Sequence, residues 1–451
     1  MAISQSNNIL IRPTTQRVRI GFIIPDSNPT LLHSDNSLEY QFDSVHQGIG
    51  YVAAYAKENC LIDEIQVFRT YGKSEKDLID FLEQGWFIIG IPLSVLAIDE
   101  AASIAEMTKS ICHAKVVVGG AEVTTNGEDA LRKNAYFDFA VFGEGEITFS
   151  ELVNTLTNKG DFSKIKGLIY RNAEGQICKN KPRGFEKNLE VFPYLDRTLF
   201  KYEYNYHSII GTRGCPFHCT FCNSSACWGH TYRLRDPSSI HKEIEYILRL
   251  YGNEKIISFQ DDSFNINKSW VLDVCRRLKT LNISWWIRGL RANLVTEDIA
   301  DALVDSHCVG VACGVESANN KCLKDIRKGT TIEAIMKGVE NLQSRGIPVL
   351  GQFIIGNHSD TLETVKESIE CARQFSEATF GIAFPIIKTF LYDYVKSNNL
   401  FLPEPVPIKF KNRTISKIIF DTPQFSVKKR LEAANLAIKE KFFHNINYDE
   451  D

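Results

Sequence analysis

Three cysteines share one short loop. Cys215, Cys219 and Cys222, in RGCPFHCTFCNSS, follow the spacing C-x3-C-x2-C. Thiolates this close can wrap one face of a metal ion or an iron–sulfur cluster. Three ligands, not four, is the informative count. A [4Fe-4S] cube held by three cysteines keeps one iron open for a substrate or cofactor to coordinate. The alternative is a structural zinc site, which wants four closed ligands. Cys227 or His218 completes one on paper, yet zinc sites usually pair two C-x2-C knuckles and no second knuckle is present. The other cysteines among the 12 are scattered along the chain. In a reducing compartment the default for them is a buried, inert thiol.

The chain around this loop has 451 residues, room for two or three domains. Its 44% hydrophobic and 24% charged residues are those of a soluble globular protein, and a net charge of -3 supplies no global attraction to nucleic acid or anionic membrane. No nucleic-acid partner is expected. No apolar run approaches the ~20 residues that span a bilayer, and the N-terminus lacks an apolar stretch followed by a small-residue cleavage site. A cytoplasmic location follows as the expectation.

Two series of alternating elements must position the loop. The first runs from Val18 to about Thr157. Strands RIGFII, IDEIQVFRT, WFIIGI, KVVVGG and FDFAVFG alternate with helices over 48–59, 75–83, 98–112, near 128–133 and 146–157. Such βαβ units predict a doubly wound, mostly parallel sheet whose ligand site lies beyond the strands' C-terminal ends. The second series runs from His207 to about Lys388, with strands HSIIGT, KIISFQ, WWIRG, CVGVACGV, IPVLGQFIIG and TFGIAFPII. Six strands with crossover helices predict an open, partial (β/α)6 barrel, with the cysteine loop after its first strand. The expected layout is an extension over 1–17, a Rossmann-like domain over 18–158, a connecting arm with a hairpin over 159–204, the barrel over 205–395 and a C-terminal extension over 396–451. Trp228, Trp285, Trp286, Phe384 and Tyr392 are candidates to line the barrel mouth.

The cysteine loop, with Phe221 before the third cysteine, resembles the C-x3-C-x-aromatic-C motif of the radical S-adenosylmethionine (SAM) superfamily, and the resemblance extends over nearly the whole chain. It implies a [4Fe-4S] cluster on Cys215, Cys219 and Cys222, with the amino and carboxylate groups of SAM on the open iron. It implies reductive cleavage of SAM to methionine and a 5′-deoxyadenosyl radical, and an electron donor such as a flavodoxin or ferredoxin. By the same resemblance the later strand ends bind SAM. These are Asp261 and Asp262 in FQDDSF, Arg288 and Arg291 in IRGLRAN, Glu316 and Ser317 in CGVES, and Ile354 and Gly356 in QFIIGN. Taken singly, each is as easily a cap, an ion pair or a turn residue. They gain weight at successive strand C-termini, where barrel sites are built. Gly356-Asn357-His358-Ser359-Asp360 departs from the Gly-x-Pro-Gly-Glu common there.

The order of a doubly wound domain, an arm and this barrel resembles the cobalamin-binding-domain radical SAM enzymes, among them the class B methylases. Gly119-Gly120 after the fourth strand and Gly143-Glu144-Gly145-Glu146 after the fifth carry that resemblance. Glycines there let a large flat ligand approach the backbone. Cobalamin domains that ligate cobalt from below use D-x-H-x-x-G. Here the run is Asp43-Ser44-Val45-His46-Gln47-Gly48, with the histidine one position late. The resemblance favours cobalamin without a protein histidine, over His46 as lower ligand or a domain that has lost the cofactor.

The leading functional expectation is a cobalamin-dependent methyltransferase acting on an unactivated carbon of a small molecule or natural product. A radical cyclisation, rearrangement or oxidation enzyme of secondary metabolism is the alternative, and product mass separates the two. A methylthiotransferase needs a second cysteine trio, whereas the N-terminal domain holds Cys60 and Cys112 alone. A cluster-bearing sensor would assemble the cluster and leave SAM uncleaved.

Overall fold

The computed structural model describes residues 17–25, 45–94, 97–201, 206–411 and 413–443. Asp43 and Ser44 of the D-x-x-H run, most of the N-terminal extension and the acidic NYDED end lie outside the described residues. The chain divides into two compact units; the first holds His46–Glu186, the second the described residues from Tyr206 on.

In the first unit, five parallel strands form the expected sheet: β1 (Arg19–Ile24), β2 (Glu64–Arg69), β3 (Ile88–Pro92), β4 (Lys115–Gly119) and β5 (Phe139–Val141). The helices between and after them are α1 (Gln47–Asn59), α2 (Glu75–Leu82), α3 (Ile98–Ile111), α4 (Ala121–Lys133) and α5 (Gly145–Asn158). Local chemistry sets their ends. Ser74 and Asp77 close a capping box that starts α2. One face of the sheet is buried under Leu78 and Phe81 of α2, Ile104 of α3 and Val123 and Leu131 of α4; α1 packs against α5. Two expectations need correction. The hairpin assigned to the arm, β6 (Leu168–Arg171) and β7 (Ile177–Lys179), extends this sheet in the order β2-β1-β3-β4-β5-β6-β7. Antiparallel pairing of β6 on β5 buries Leu168 and Ile169, which an isolated hairpin would leave wet. The helix expected near 128–133 begins at Ala121 and kinks at Asn126.

The second unit is the open barrel. Its parallel strands β8 (Tyr206–Ile209), β11 (Ile256–Gln260), β12 (Trp285–Leu290), β13 (Cys308–Glu316), β14 (Val349–Ile355) and β15 (Glu377–Ile382) pair in sequence order. Between β8 and β11 lie β9 (Thr212–Arg213), α6 (Asn223–Trp228), β10 (Arg233–Leu234) and α7 (Pro237–Tyr251). The crossovers are α8 (Lys268–Lys279), α9 (Glu297–Asp305), α10 (Asn320–Asp325) with α11 (Ile332–Gln343), and α12 (Leu362–Ala372). Alternation along β12 sorts its residues: Trp285 and Ile287 join the core shared with the helices, while Trp286 packs on Ala312 and Leu350. Trp285 is therefore no mouth residue; it is fully buried and its indole N–H donates to Ser306 O.

The segment after β15, which starts within the range expected for the barrel and runs through the C-terminal extension, completes this unit. It comprises α13 (Phe390–Ser397), a hairpin of β16 (Phe401–Phe410) and β17 (Arg413–Phe420), and α14 (Val427–Lys439). Ile408, Ile418, Phe425, Ala433, Ala434 and Ala437 enter the barrel's own core. Phe380 N donates to Phe442 O, so the last described residues cover the edge of β15.

Candidate functional site

The cysteine loop leaves β8 and is pinned at both ends before any ligand is considered. Its stem, β9, pairs antiparallel with β10. Asp261 Oδ1, at the end of β11, accepts from the amides of Gly211 (3.0 Å) and Thr212. Burial raises the Asp262 carboxyl, against the Gly214 amide, which favours its charged form. In mid-loop, Thr220 N donates to Ile326 O and Thr220 O accepts from Leu391 N of α13, both at 3.0 Å. One oxygen of Asp261 is thus engaged by the loop, while its Oδ2 is buried without a hydrogen-bond partner among the described residues. Asp261 is buried, and burial pushes its carboxyl up to about 7.

All three cysteines are half-buried within this frame, and Cys222 stands at the N-cap of α6. The Cys215 thiol lies 3.2 Å from the Ser263 hydroxyl. Burial raises the Cys219 thiol and pushes Cys222 up to about 12. Iron binding there displaces protons. Among the described residues no three His, Cys, Asp or Glu side chains converge on a single-ion site, as zinc ligands would. Thiolates on separate irons of a cube need no such convergence, and the donor set fits the cluster.

Two buried cations act on Cys219. Arg291 lies 3.5 Å over the Phe217 ring and donates to Lys328 O at 2.6 Å. Burial pushes the guanidinium below its ordinary value, against the pull of Cys219 and Cys215. Lys328 Nζ donates to Glu316 Oε1 at 2.8 Å, with both side chains about one-tenth exposed (9% and 11%). Burial works against the ammonium, but Glu316 and Cys219 more than offset it and its pKa is raised. Glu316 itself sits at φ 70° on a bulge of β13. Arg291, Glu316 and Lys328 therefore converge beside the thiols. Sequence reasoning missed Lys328, which carries no motif of its own in Ile326-Arg327-Lys328-Gly329.

The other barrel candidates divide. Arg288 shares with Trp286 the face of β12 opposite Trp285 and Ile287. Ser317 is buried and accepts from Asn319 N, so its hydroxyl serves the turn into α10. Phe221 and Ile354 pack against one small apolar cluster with Ala383, Leu391, Val395 and Phe420. Gly356, at φ 98°, opens the loop after β14.

In the first unit a cavity of about 470 Å³, open to solvent, lies at the C-terminal ends of β1, β3, β4 and β5. Strand order reverses between β1 and β3, so this is the switch point of the sheet. Phe22, Ile49, Val52, Ile91, Val117 and Phe149 make it apolar. Gly119 and Gly145 line it, as do Gly48 and Gly90; Gly120, Gly143 and Glu144 lie outside. A Cβ on Gly145 would sit 3.2 Å from Val52. Glu144 accepts from Glu186 N instead. This cradle fits the flat, apolar parts of a corrinoid. His46 also lines it, with Nδ1 accepting from Ile49 N (3.2 Å) to cap α1. Burial pushes that imidazole down to about 4, so it is neutral with its proton on Nε2. Ligation through Nε2 would move the proton to Nδ1 and remove the cap.

Known proteins match both units. The radical SAM superfamily domain matches residues 209–372 and the B12 binding domain residues 36–153. An uncharacterized methyltransferase of Pyrococcus horikoshii is 32% identical over 369 residues, 79% of each chain. The anaerobic magnesium-protoporphyrin IX monomethyl ester cyclase of Synechocystis is 30% identical over 249 residues, 53% of this chain and 49% of its own. The methyltransferase TsrM of Kitasatospora setae, solved with cobalamin and a [4Fe-4S] cluster, superposes with a TM-score of 0.70 at 16% identity, covering 92% of this chain and 84% of its own. With a three-thiol loop on one unit and an apolar switch-point cavity on the other, the chain belongs to the cobalamin-binding-domain enzymes of the radical SAM superfamily.

Proposed function

We propose that the chain is a cobalamin-dependent radical SAM methyltransferase that methylates an unactivated carbon of a small-molecule or natural-product substrate, in the cytoplasm, with a flavodoxin or ferredoxin as electron donor. The observation that carries the reading is the apolar, glycine-lined cavity at the switch point of a B12 binding domain, in one chain with the cysteine loop. When bound, the cluster and SAM supply the radical that activates the carbon and cobalamin carries the methyl group. The protein's own residues do the rest. Cys215, Cys219 and Cys222 hold the cluster, and Asp261 and Thr220 fix their loop. Arg291 and Lys328 present positive charge to the thiols and to the carboxylate of SAM, and Glu316 takes its ammonium. Phe221 and Ile354 supply an apolar wall for the adenine.

A second reading, oxidative ring formation without methyl transfer, rests on the 30% identity to the Synechocystis cyclase. One experiment separates them. The protein is reconstituted anaerobically with iron, sulfide and hydroxocobalamin, then given SAM, reductant and candidate substrates. Methyl transfer requires about four irons and one cobalt per chain, S-adenosylhomocysteine beside 5′-deoxyadenosine, and a product heavier by one methyl group. Four irons without cobalt overturns the proposal.

A further inference from the structure

We propose that Arg430, on the C-terminal helix, is a positioning residue for SAM: it holds the loop Gly356–Asp360 in its binding shape. The proposal rests on the reading of that loop as part of the SAM site. Arg430 is 1% exposed, and its guanidinium lies 4.3 Å from the Phe420 ring and 5.0 Å from that of Phe425. Nε donates to Phe425 O at 3.0 Å and Nη1 to Gly356 O at 2.9 Å. From the other side, Asp360 Oδ2 accepts from the amides of Gly356 and Asn357, each at 2.9 Å. The Gly356 residue is thus gripped at its N–H by Asp360 and at its C=O by Arg430.

Gly356 shows how close the fit is. At φ 98° an L side chain is strained, and a Cβ would stand 2.1 Å from Arg430 Nη1. Gln424, on the turn before α14, donates to His358 O and holds the next part of the loop. Apart from Asp360, the loop's polar side chains contribute little: both amide atoms of Asn357, His358 Nδ1 and Ser359 Oγ are buried without a hydrogen-bond partner among the described residues. No proline stiffens Asn357-His358-Ser359. The rigidity comes from Asp360 within the loop and from Arg430 and Gln424 of the C-terminal extension. A buried guanidinium is costly unless it is used, and here its use is to fix one carbonyl of a ligand loop.

The test uses the full chain with its cluster reconstituted. SAM affinity is measured by equilibrium dialysis, alongside iron content, thermal midpoint and the change that SAM produces in the electron paramagnetic resonance of the reduced cluster. Arg430→Met is expected to keep its iron and weaken SAM binding on the order of 10- to 100-fold. Arg430→Lys should recover part of that loss, and Gln424→Ala, an exposed change, should weaken SAM a few-fold with an unchanged midpoint. Gly356→Ala tests the underlying reading, because it displaces both the loop and Arg430. Weak SAM binding in Gly356→Ala with wild-type affinity in Arg430→Met and Gln424→Ala overturns the role of Arg430 alone. Wild-type affinity in all of them overturns the reading of the loop. Equal loss of iron, midpoint and SAM in Arg430→Met and Arg430→Lys, with Gln424→Ala unaffected, makes Arg430 a core residue and nothing more.

Discussion

The ion pair between Lys328 and Glu316 makes a quantitative prediction about the frame around Cys219. Nζ and Oε1 are 2.8 Å apart, and neither side chain is more than 11% exposed. Removing one partner of such a pair leaves a buried charge unpaired, a loss of about 3–5 kcal/mol, whereas removing both with apolar groups is often near neutral. Lys328→Met and Glu316→Leu should each destabilise the barrel by that amount, and the double variant by much less than their sum. For a unit of this size about 2–4 °C follows each kcal/mol, so the singles should melt roughly 6–20 °C lower. Circular dichroism of the iron-free protein reads the midpoint, and iron content after reconstitution reads the consequence at the thiols. Gly314 supplies an independent limb. A Cβ there would meet Glu316 Oε1 at 2.3 Å and Lys328 Nζ at 3.0 Å, so Gly314→Ala should force the pair apart and resemble the single variants. If the two single effects add to within about 0.5 kcal/mol in the double variant, the pair is not a unit and the reasoning fails.

The same structure has other consequences. Cys215→Ala, Cys219→Ala and Cys222→Ala should each lower reconstituted iron and abolish 5′-deoxyadenosine formation, while Cys227→Ala leaves both intact; loss of metal in Cys227→Ala would restore the zinc alternative. His46→Ala should cost about 1 kcal/mol of helix capping and leave the cob(II)alamin resonance spectrum unchanged. A nitrogen splitting present in the wild type and absent in the variant would make His46 a cobalt ligand after all. Gly119→Leu should fill the cavity and prevent cobalt uptake with four irons retained. Burial pushes Asp360 up to about 6, above its unfolded value of 3.8, so the folded state holds the extra proton in that window. Stability from this group is therefore complete below pH 3.8 and lost as pH rises through 6, by about 3 kcal/mol. Asp360→Asn should flatten that part of the stability–pH curve, and an unchanged slope would contradict the raised carboxyl.

The parts legible in the sequence were those with a local period or a local spacing. Cys215, Cys219 and Cys222 lie within eight residues, so their shared loop needed no fold to be seen. The runs RIGFII and KVVVG announce buried parallel strands by composition, and the order of strands and helices then confines the topology to a few choices. Trp285 and Trp286 show where local reading stops. They are adjacent and chemically identical, yet alternation sends one to the helix-packed core and the other to the opposite face, and register alone decides which. Asp261 stands at a strand end, as ligand-binding residues do, but amides 49 and 50 positions earlier claim one of its oxygens.

The residues that escaped the sequence share a physical cause. Lys328 acts on Glu316 across 12 positions, Leu391 on Thr220 across a far longer span, and Arg430 on Gly356 across 74. None has a spacing that periodicity can detect, because each contact is made by folding and not by the local chain. Each also joins a late segment to an earlier strand-end loop: α13 reaches the cysteine loop, and α14 the loop after β14. Barrel loops that must bind a cofactor cannot be stiffened by their own packing without filling the space they offer. Part of the stiffness arrives from elsewhere: Leu391, Gln424 and Arg430, all late in the sequence, each hold a strand-end loop. This explains why Gly-x-Pro-Gly-Glu can be absent after β14 while the backbone there remains held. Proline would restrict the loop by fixing a dihedral; Arg430, Asp360 and Gln424 restrict it by hydrogen bonds to four of its backbone groups.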